Sequence, residues 1–349
     1  MHVILLSVLP AMAQEGPSPD IPHPVGLLQV WGTLYDMDQD KQADASGIGD
    51  AEDDPGVKVK QLKVGLADSN GPLLYRITVG ISAPYDGYNH GEQSVQVEDA
   101  VMGYQIAPWF TLQAGRAKLP FSRDQLMSTA DLTFQERGLG SEYVVPDRQL
   151  GVLGTGLFGP AKVQLGLFNA GGDLFGDDHP GKTVVARGEA SFGERDTYAF
   201  WGGPGKGPSV GFGASGLMSD EVSTRTFAAG ADVLFRVRGL AMLVDGAWEQ
   251  ESPMRSEIDT PGVLSPTTRL ALTSQLSYSL GIVEPSIRFT MLNDSALGNY
   301  QQGMAGVVLH GGTNLAGYDK FRLGVGYVLR LEEQKIPNDT VRMWAQVRI

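Results

Sequence analysis

The chain has 349 residues, a formal net charge of −13 and no cysteine. An acidic balance of this size argues against nucleic acid as a partner, and the missing thiols exclude a disulfide framework and any thiolate metal site. The five histidines, His2, His23, His90, His179 and His310, are scattered with no i, i+4 pair, so no zinc site is expected and no cofactor is implied.

Met1–Ala13 joins an apolar run to Ala11-Met12-Ala13, an A-x-A-type cleavage site ahead of Gln14. Residues 1–13 are read as the remnant of an export signal, 14–24 as an N-terminal segment and 25–349 as the body of the protein. No Lys or Arg precedes the apolar run, so the true start of the signal is expected upstream or is misassigned. No later segment has the roughly 18 uninterrupted apolar residues of a transmembrane helix.

From Val25 onward the pattern has period two, the mark of strands with one apolar face. Leu323, Val325, Tyr327, Leu329 and Leu331 share one face, with Arg322, Gly324, Gly326 and Arg330 on the other. About sixteen such segments follow one another, the first near 26–36 and the last near 339–349, most of a length that crosses a bilayer at a tilt. Tight turns at Ser69-Asn70-Gly71, Ala107-Pro108, Gly159-Pro160 and Arg238-Gly239 alternate with long polar stretches near 37–56, 84–93, 119–147, 170–182, 250–266 and 293–301. The link Gly193–Gly207 breaks the alternation, being long where a tight turn is due. If a strand is mis-split there, the total becomes fourteen or eighteen. The fold expected is an all-β transmembrane antiparallel barrel with short turns at one end and long loops at the other.

Parity sorts the charges. With the apolar faces toward lipid, Arg76, Lys162, Arg187, Arg236, Arg288, Arg322, Arg330, Arg342 and Arg348 point inward, against the acids Glu189, Asp232, Asp245 and Glu249. The wall is basic although the protein is acidic, because the acids gather in loops such as 36–54. Inward arginines either concentrate anions in a narrow pore or pair with wall and loop carboxylates and merely shape it. Both readings stay open on the sequence.

Val95–Phe158 carries the most specific pattern. It contains Glu98-Asp99-Ala100, then Ala114-Gly115-Arg116-Ala117-Lys118-Leu119-Pro120-Phe121-Ser122, then Thr133-Phe134-Gln135-Glu136-Arg137, then Asp147-Arg148-Gln149-Leu150-Gly151-Val152. This order resembles the phosphate-selective porin family of the O/P type. The resemblance implies an outer-membrane porin of Gram-negative type, a homotrimer, with residues 119–146 folded into the lumen as a constriction loop. It also implies passive diffusion of small hydrophilic solutes, anions such as phosphate among them, with outer-membrane lipid and lipopolysaccharide as surroundings.

Pore-lining, anion-binding residues are expected at Arg116, Lys118, Arg123, Arg137 and Arg148 around the loop, and at Arg76, Arg288, Arg322 and Arg330 on the wall. Arg116 and Lys118 share parity with Phe110 and Leu112, so they need a bulge or a place at the rim. Ser122 and Gln125 have capping-box spacing for a short helix through Met127. Glu136-Arg137 reads as a structural pair anchoring the loop. The family's selectivity is tied to lysines at the constriction, where Lys118 stands alone in the matching stretch.

Other classes find little support. Gly202-Gly203-Pro204-Gly205-Lys206-Gly207 lacks the spacing and the Ser/Thr of a phosphate-cradling loop. No catalytic spacing accompanies His310, and no enzyme is expected. The alternatives are a non-selective or weakly cation-preferring general porin governed by its acidic mouth and, further off, a barrel enzyme or surface-binding protein.

Overall fold

A computed structural model describes residues 22–36, 56–82, 94–170, 181–193, 198, 200, 207–221, 224–253, 265–313, 319–332 and 339–348. The signal segment, the acidic stretch 37–55 and most of the glycine-rich run at 202–207 lie outside them. The period-two stretches form strands β1 (His23–Asp36), β2 (Gly56–Asn70), β3 (Leu73–Ser82), β4 (Ser94–Ala107), β5 (Phe110–Lys118), β6 (Arg148–Phe158), β7 (Ala161–Asn169) and β8 (Lys182–Gly193). They continue as β9 (Ser209–Asp220), β10 (Thr224–Val237), β11 (Leu240–Pro253), β12 (Thr267–Tyr278), β13 (Val283–Asp294), β14 (Gly298–Thr313), β15 (Asp319–Glu332) and β16 (Thr340–Arg348). Each strand pairs with its neighbours in sequence and β1 pairs with β16, so the barrel closes. At the seam Gln29 lies opposite Gln346 and Trp31 opposite Trp344. Closure leaves no strand edge to lipid, where an unpaired backbone group has no water to bond.

Arg322, Arg330 and Arg342 are buried inside, whereas Leu323, Val325, Leu329 and Leu331 are exposed outside. An apolar exterior around a charged interior is the arrangement a bilayer demands. Trp109 packs against Phe110 and Phe158, ring centroids 5.6 Å apart, at the tight-turn end, where aromatic side chains suit the membrane interface.

Sixteen strands are present, and the Gly193–Gly207 link hides no further strand among its described residues. Two loops are shorter than the sequence indicates. β11 runs on to Pro253, and the stretch 293–301 is mostly strand around a tight turn. Asp294 Oδ1 closes that turn by accepting from the amides of Ala296 (2.8 Å) and Leu297 (3.0 Å), an Asx-type bond that replaces a longer connection.

Gly115 has the backbone freedom that the constriction-side end of β5 needs. Its φ is +128°, and a Cβ there would lie 1.9 Å from the Ala100 carbonyl oxygen. Past this point Lys118 reaches the interior despite its outward parity. Gly115→Ala is therefore expected to destabilise the barrel by about 1–3 kcal/mol, read by urea unfolding in lipid vesicles. Unfolding like that of wild type would show that the strained geometry is not needed.

Candidate functional site

The chain between β5 and β6 enters the lumen and is built from short capped pieces. Ser122 caps helix α1 (Arg123–Leu126) by accepting from Gln125 N, as its spacing predicts. Ser128 caps a single 3₁₀ turn at Thr129–Asp131, and α2 (Leu139–Tyr143) follows. Leu119, Phe121, Leu139, Val144 and Val145 join an apolar cluster with inward wall residues including Leu153, Phe168, Val185, Leu217 and Leu292. At Gly138 the loop touches β12 so closely that a Cβ would lie 1.8 Å from Thr273 Oγ1.

Such a loop presents backbone carbonyls that no sheet satisfies, and the wall supplies the donors. Arg187 Nη1 donates to Phe121 O. Arg322 Nη1 donates to Ala130 O (2.8 Å) and Leu132 O (3.2 Å), and Arg288 Nη1 to Glu136 O (2.5 Å). Gln346 adds a bond to Ala130 O at 2.8 Å, and Gln29 one to Thr129 O at 3.0 Å. Carboxylates tie the remaining points. Arg123 pairs with Asp232 at 2.6 Å, Arg342 with Glu136 at 2.6 Å and Arg348 with Asp131 at 2.8 Å. Asp245 accepts from Ser122 Oγ (2.9 Å) and Asp124 N (3.0 Å), and Trp31 Nε1 donates to Gln135 Oε1 at 2.7 Å. Glu136 is thus anchored by Arg342 rather than by its neighbour Arg137.

These contacts place six of the nine expected residues in two groups. Arg123, Arg288 and Arg322 hold the loop. Arg330 lies toward the β15–β16 connection, donating to Thr340 Oγ1 at 2.6 Å. Lys118, Arg137 and Arg148 come together on the opposite side, where all three bear on the Asp147 carboxylate and hold it well below the usual range against the opposing effect of burial. Lys118 Nζ donates to Gln125 O (2.6 Å) and Met127 O (2.8 Å), and Arg137 Nη2 donates to the same two carbonyls at 3.2 and 2.9 Å. Arg148 binds Asp99 at 2.8 Å, Asp147 at 2.9 Å and Glu98 at 3.3 Å. Arg116 Nε donates to Val97 O at 3.0 Å, and Arg76 sits on β3 opposite Val101 of β4.

The structure adds three lysines that inward parity on the sequence omitted. β2 carries a register shift, with Gln29 opposite Gln61 but Val30 opposite Val59, so Lys60 is an extra residue in the strand. The bulge resolves the opposite parities of Lys60 and Lys63. Lys60 Nζ lies 3.8 Å and Lys58 Nζ 5.4 Å from the centroid of the inward Trp31 ring, and Lys63 is ion-paired with Glu98. A second bulge, with Thr78 opposite Asp99 but Val79 opposite Val97, does the same for Glu98 and Asp99. Lys58-x-Lys60, alternating with Val57 and Val59, was a visible period-two signal. The bulge that brings in Lys63 was not.

A closed barrel with an apolar belt, a charged lumen and a loop folded across it defines an outer-membrane porin. The model of a family described as phosphate-selective porin O and P matches residues 35–205, from the end of β1 through β8 with the inserted loop. A search of curated protein sequences found no match. Among solved structures, a loop-deletion mutant of OmpT from Vibrio cholerae aligns with TM-score 0.61 and 10% identity over 94% of this chain and 99% of that one. The outer-membrane channel DcaP of Acinetobacter baumannii aligns with TM-score 0.60 and 11% identity over 94% and 97%. An anion-selective porin from Comamonas acidovorans gives 0.58 and 10% over 93% and 98%. At such identities these likenesses concern the fold.

Glu136 links the loop to the wall electrostatically. Burial opposes its charge, but Arg342, Lys60, Arg288 and Arg330 together lower its pKa to about 2. A lowered carboxylate pKa stabilises the docked loop fully above the ordinary glutamate value of about 4.3, and that contribution is lost as pH falls from there through the folded value. Single-channel current is expected to stay quiet from neutral pH to about 5 and to grow noisy below about 4. Glu136→Gln leaves buried cations uncompensated, at a cost of about 3–5 kcal/mol, and is expected to be noisy already at neutral pH. A quiet E136Q channel would remove this residue from the anchoring scheme.

Proposed function

We propose that this porin passes small hydrophilic solutes with a preference for anions, phosphate among them, and works as a homotrimer. One observation carries the preference. Glu98, Asp99 and Asp147 are already bound to Lys63 or Arg148, whereas Lys60, Lys118 and Arg137 form no ion pair among the described residues and rest on an aromatic ring or neutral carbonyls. Glu142, exposed on α2, and Asp124, buried in α1, are the loop acids that oppose them with no ion pair of their own among the described residues, beside Glu136 on Arg342. The balance beside the loop is therefore positive although the whole chain is negative.

Cationic donors in a low-dielectric passage attract anions and replace part of their hydration. Arginine offers phosphate oxygens a planar fork, and lysine a compact charge. The family's description supports phosphate as a solute, and the anion-selective neighbour from Comamonas acidovorans supports the sign. The trimer rests on the family resemblance and on the trimer form recorded for OmpT.

The deciding experiment is the reversal potential across a planar bilayer under a salt gradient, repeated with phosphate added. Anion preference, with chloride current blocked by phosphate, is expected for wild type. Both are expected to weaken in a Lys60→Ala, Lys118→Ala double variant. Cation preference without phosphate block would instead favour a general porin dominated by its acidic loops.

A second outcome follows from Glu142. Enclosure in the barrel interior raises its carboxyl pKa, with Arg137 and Lys60 opposing. It therefore takes up a proton at a higher pH than an ordinary glutamate, and the loss of its charge leaves the cations beside it less opposed. Anion preference is expected to increase as pH falls from 7 toward the ordinary glutamate value of about 4.3. Glu142→Gln is expected to show the higher preference throughout and a weaker dependence on pH. A pH response unchanged in E142Q would place its origin elsewhere.

A further inference from the structure

The link between β8 and β9 lies at the barrel end where Gly159-Pro160 and Arg238-Gly239 suffice to join other strands, yet it runs from Gly193 to Ser209. Two of its side chains lie inside the barrel. Phe200 is 1% exposed and belongs to one apolar cluster with Met127 and Leu132 of the loop and Leu234, Ala241 and Leu243 of the wall. Tyr198 packs against the same cluster. Its hydroxyl donates to Glu189 Oε1 at 2.6 Å and accepts from Lys162 Nζ. The Arg123 guanidinium of α1 lies 5.8 Å from its ring centroid.

We propose that Tyr198 and Phe200 are positioning residues for the pore, propping the loop from the tight-turn end so that its cations keep their places. The path runs through Met127. Its side chain shares the Phe200 cluster, and its carbonyl accepts from both Lys118 and Arg137. Interiors packed at this density transmit a change in one side chain to its neighbours instead of absorbing it. A long link is used here in place of a two-residue turn because a turn cannot reach the loop. The loop is thus held from two directions, by the wall around it and by this link from one end. The inference rests on the reading that Lys118 and Arg137 face the passing solute.

The test is single-channel recording of Phe200→Ala in the full-length protein, with heat-modifiable gel migration as the check on folding. The expected result is loss of the single sharp conductance level, replaced by noisy current, together with a smaller anion-to-cation permeability ratio. Phe200→Leu, which keeps most of the volume, is expected to restore both. Phe192→Ala, which removes an exposed ring from the outer face at the same end, is expected to behave as wild type. An inserted F200A channel with wild-type noise and conductance overturns the proposal. Should F200A fail to insert, Tyr198→Phe carries the test. It keeps the ring and removes only the hydroxyl between Lys162 and Glu189, and wild-type noise in it overturns the proposal equally. If wild type itself shows no anion preference, the selectivity reading fails by itself. The noise and conductance of these variants still decide whether the link positions the loop.

Discussion

A backbone carbonyl buried without a donor costs about 1–3 kcal/mol, and the segment folded into this barrel has many carbonyls that its own backbone does not pair. In a sheet or a long helix such groups are paired by the element itself. The lumenal loop has only two short helices and one 3₁₀ turn, so its carbonyls must be met from outside. The barrel meets them with guanidinium groups. Arg187, Arg288 and Arg322, each on a different strand, reach the loop's backbone at Phe121, Glu136, Ala130 and Leu132. The position of the constriction depends on this exchange.

The same requirement explains why a basic wall does not translate directly into an anion pathway. Arginine is chosen along much of the wall because it offers several donors in a fixed fork and keeps its charge, qualities that serve a carbonyl as well as they serve phosphate. The charge relevant to a solute is the charge that carboxylates leave unpaired, since a bond to a neutral carbonyl takes up donors and not charge. That remainder gathers beside β2, β5 and the loop, and lysine contributes as much to it as arginine. Lys60 and Lys118 supply point charges held by an aromatic ring and by two carbonyls.

Much of the fold was legible because a bilayer allows few choices. Period two, tight turns on alternate links and an inward set of charges are repeated from strand to strand, so β6 and β7 have the bounds that their patterns imply. The capping of α1 by Ser122 was equally local. What escaped was whatever breaks the period. The bulges at Lys60 and Glu98 change the face of the residues beyond them, and no propensity marks where one falls. The loop carbonyls that Arg288 and Arg322 reach lie over a hundred residues away, so inward parity alone left their roles open between solute and scaffold. The overlong link after Gly193 was visible as an anomaly, and its contacts with Met127 and Leu132 give it a physical reason.

Anchoring a loop by guanidinium groups on neutral carbonyls also bears on where such a protein lives. Ion pairs weaken as salt rises and dissolve when an acid takes up its proton. A carbonyl has no charge to screen and no proton to gain in ordinary water, and arginine keeps its own charge across the same range. A channel facing the outside medium meets whatever salinity and acidity the surroundings impose. With much of its loop held by contacts indifferent to both, its aperture has a reference that fresh water, brine and mild acid leave largely alone.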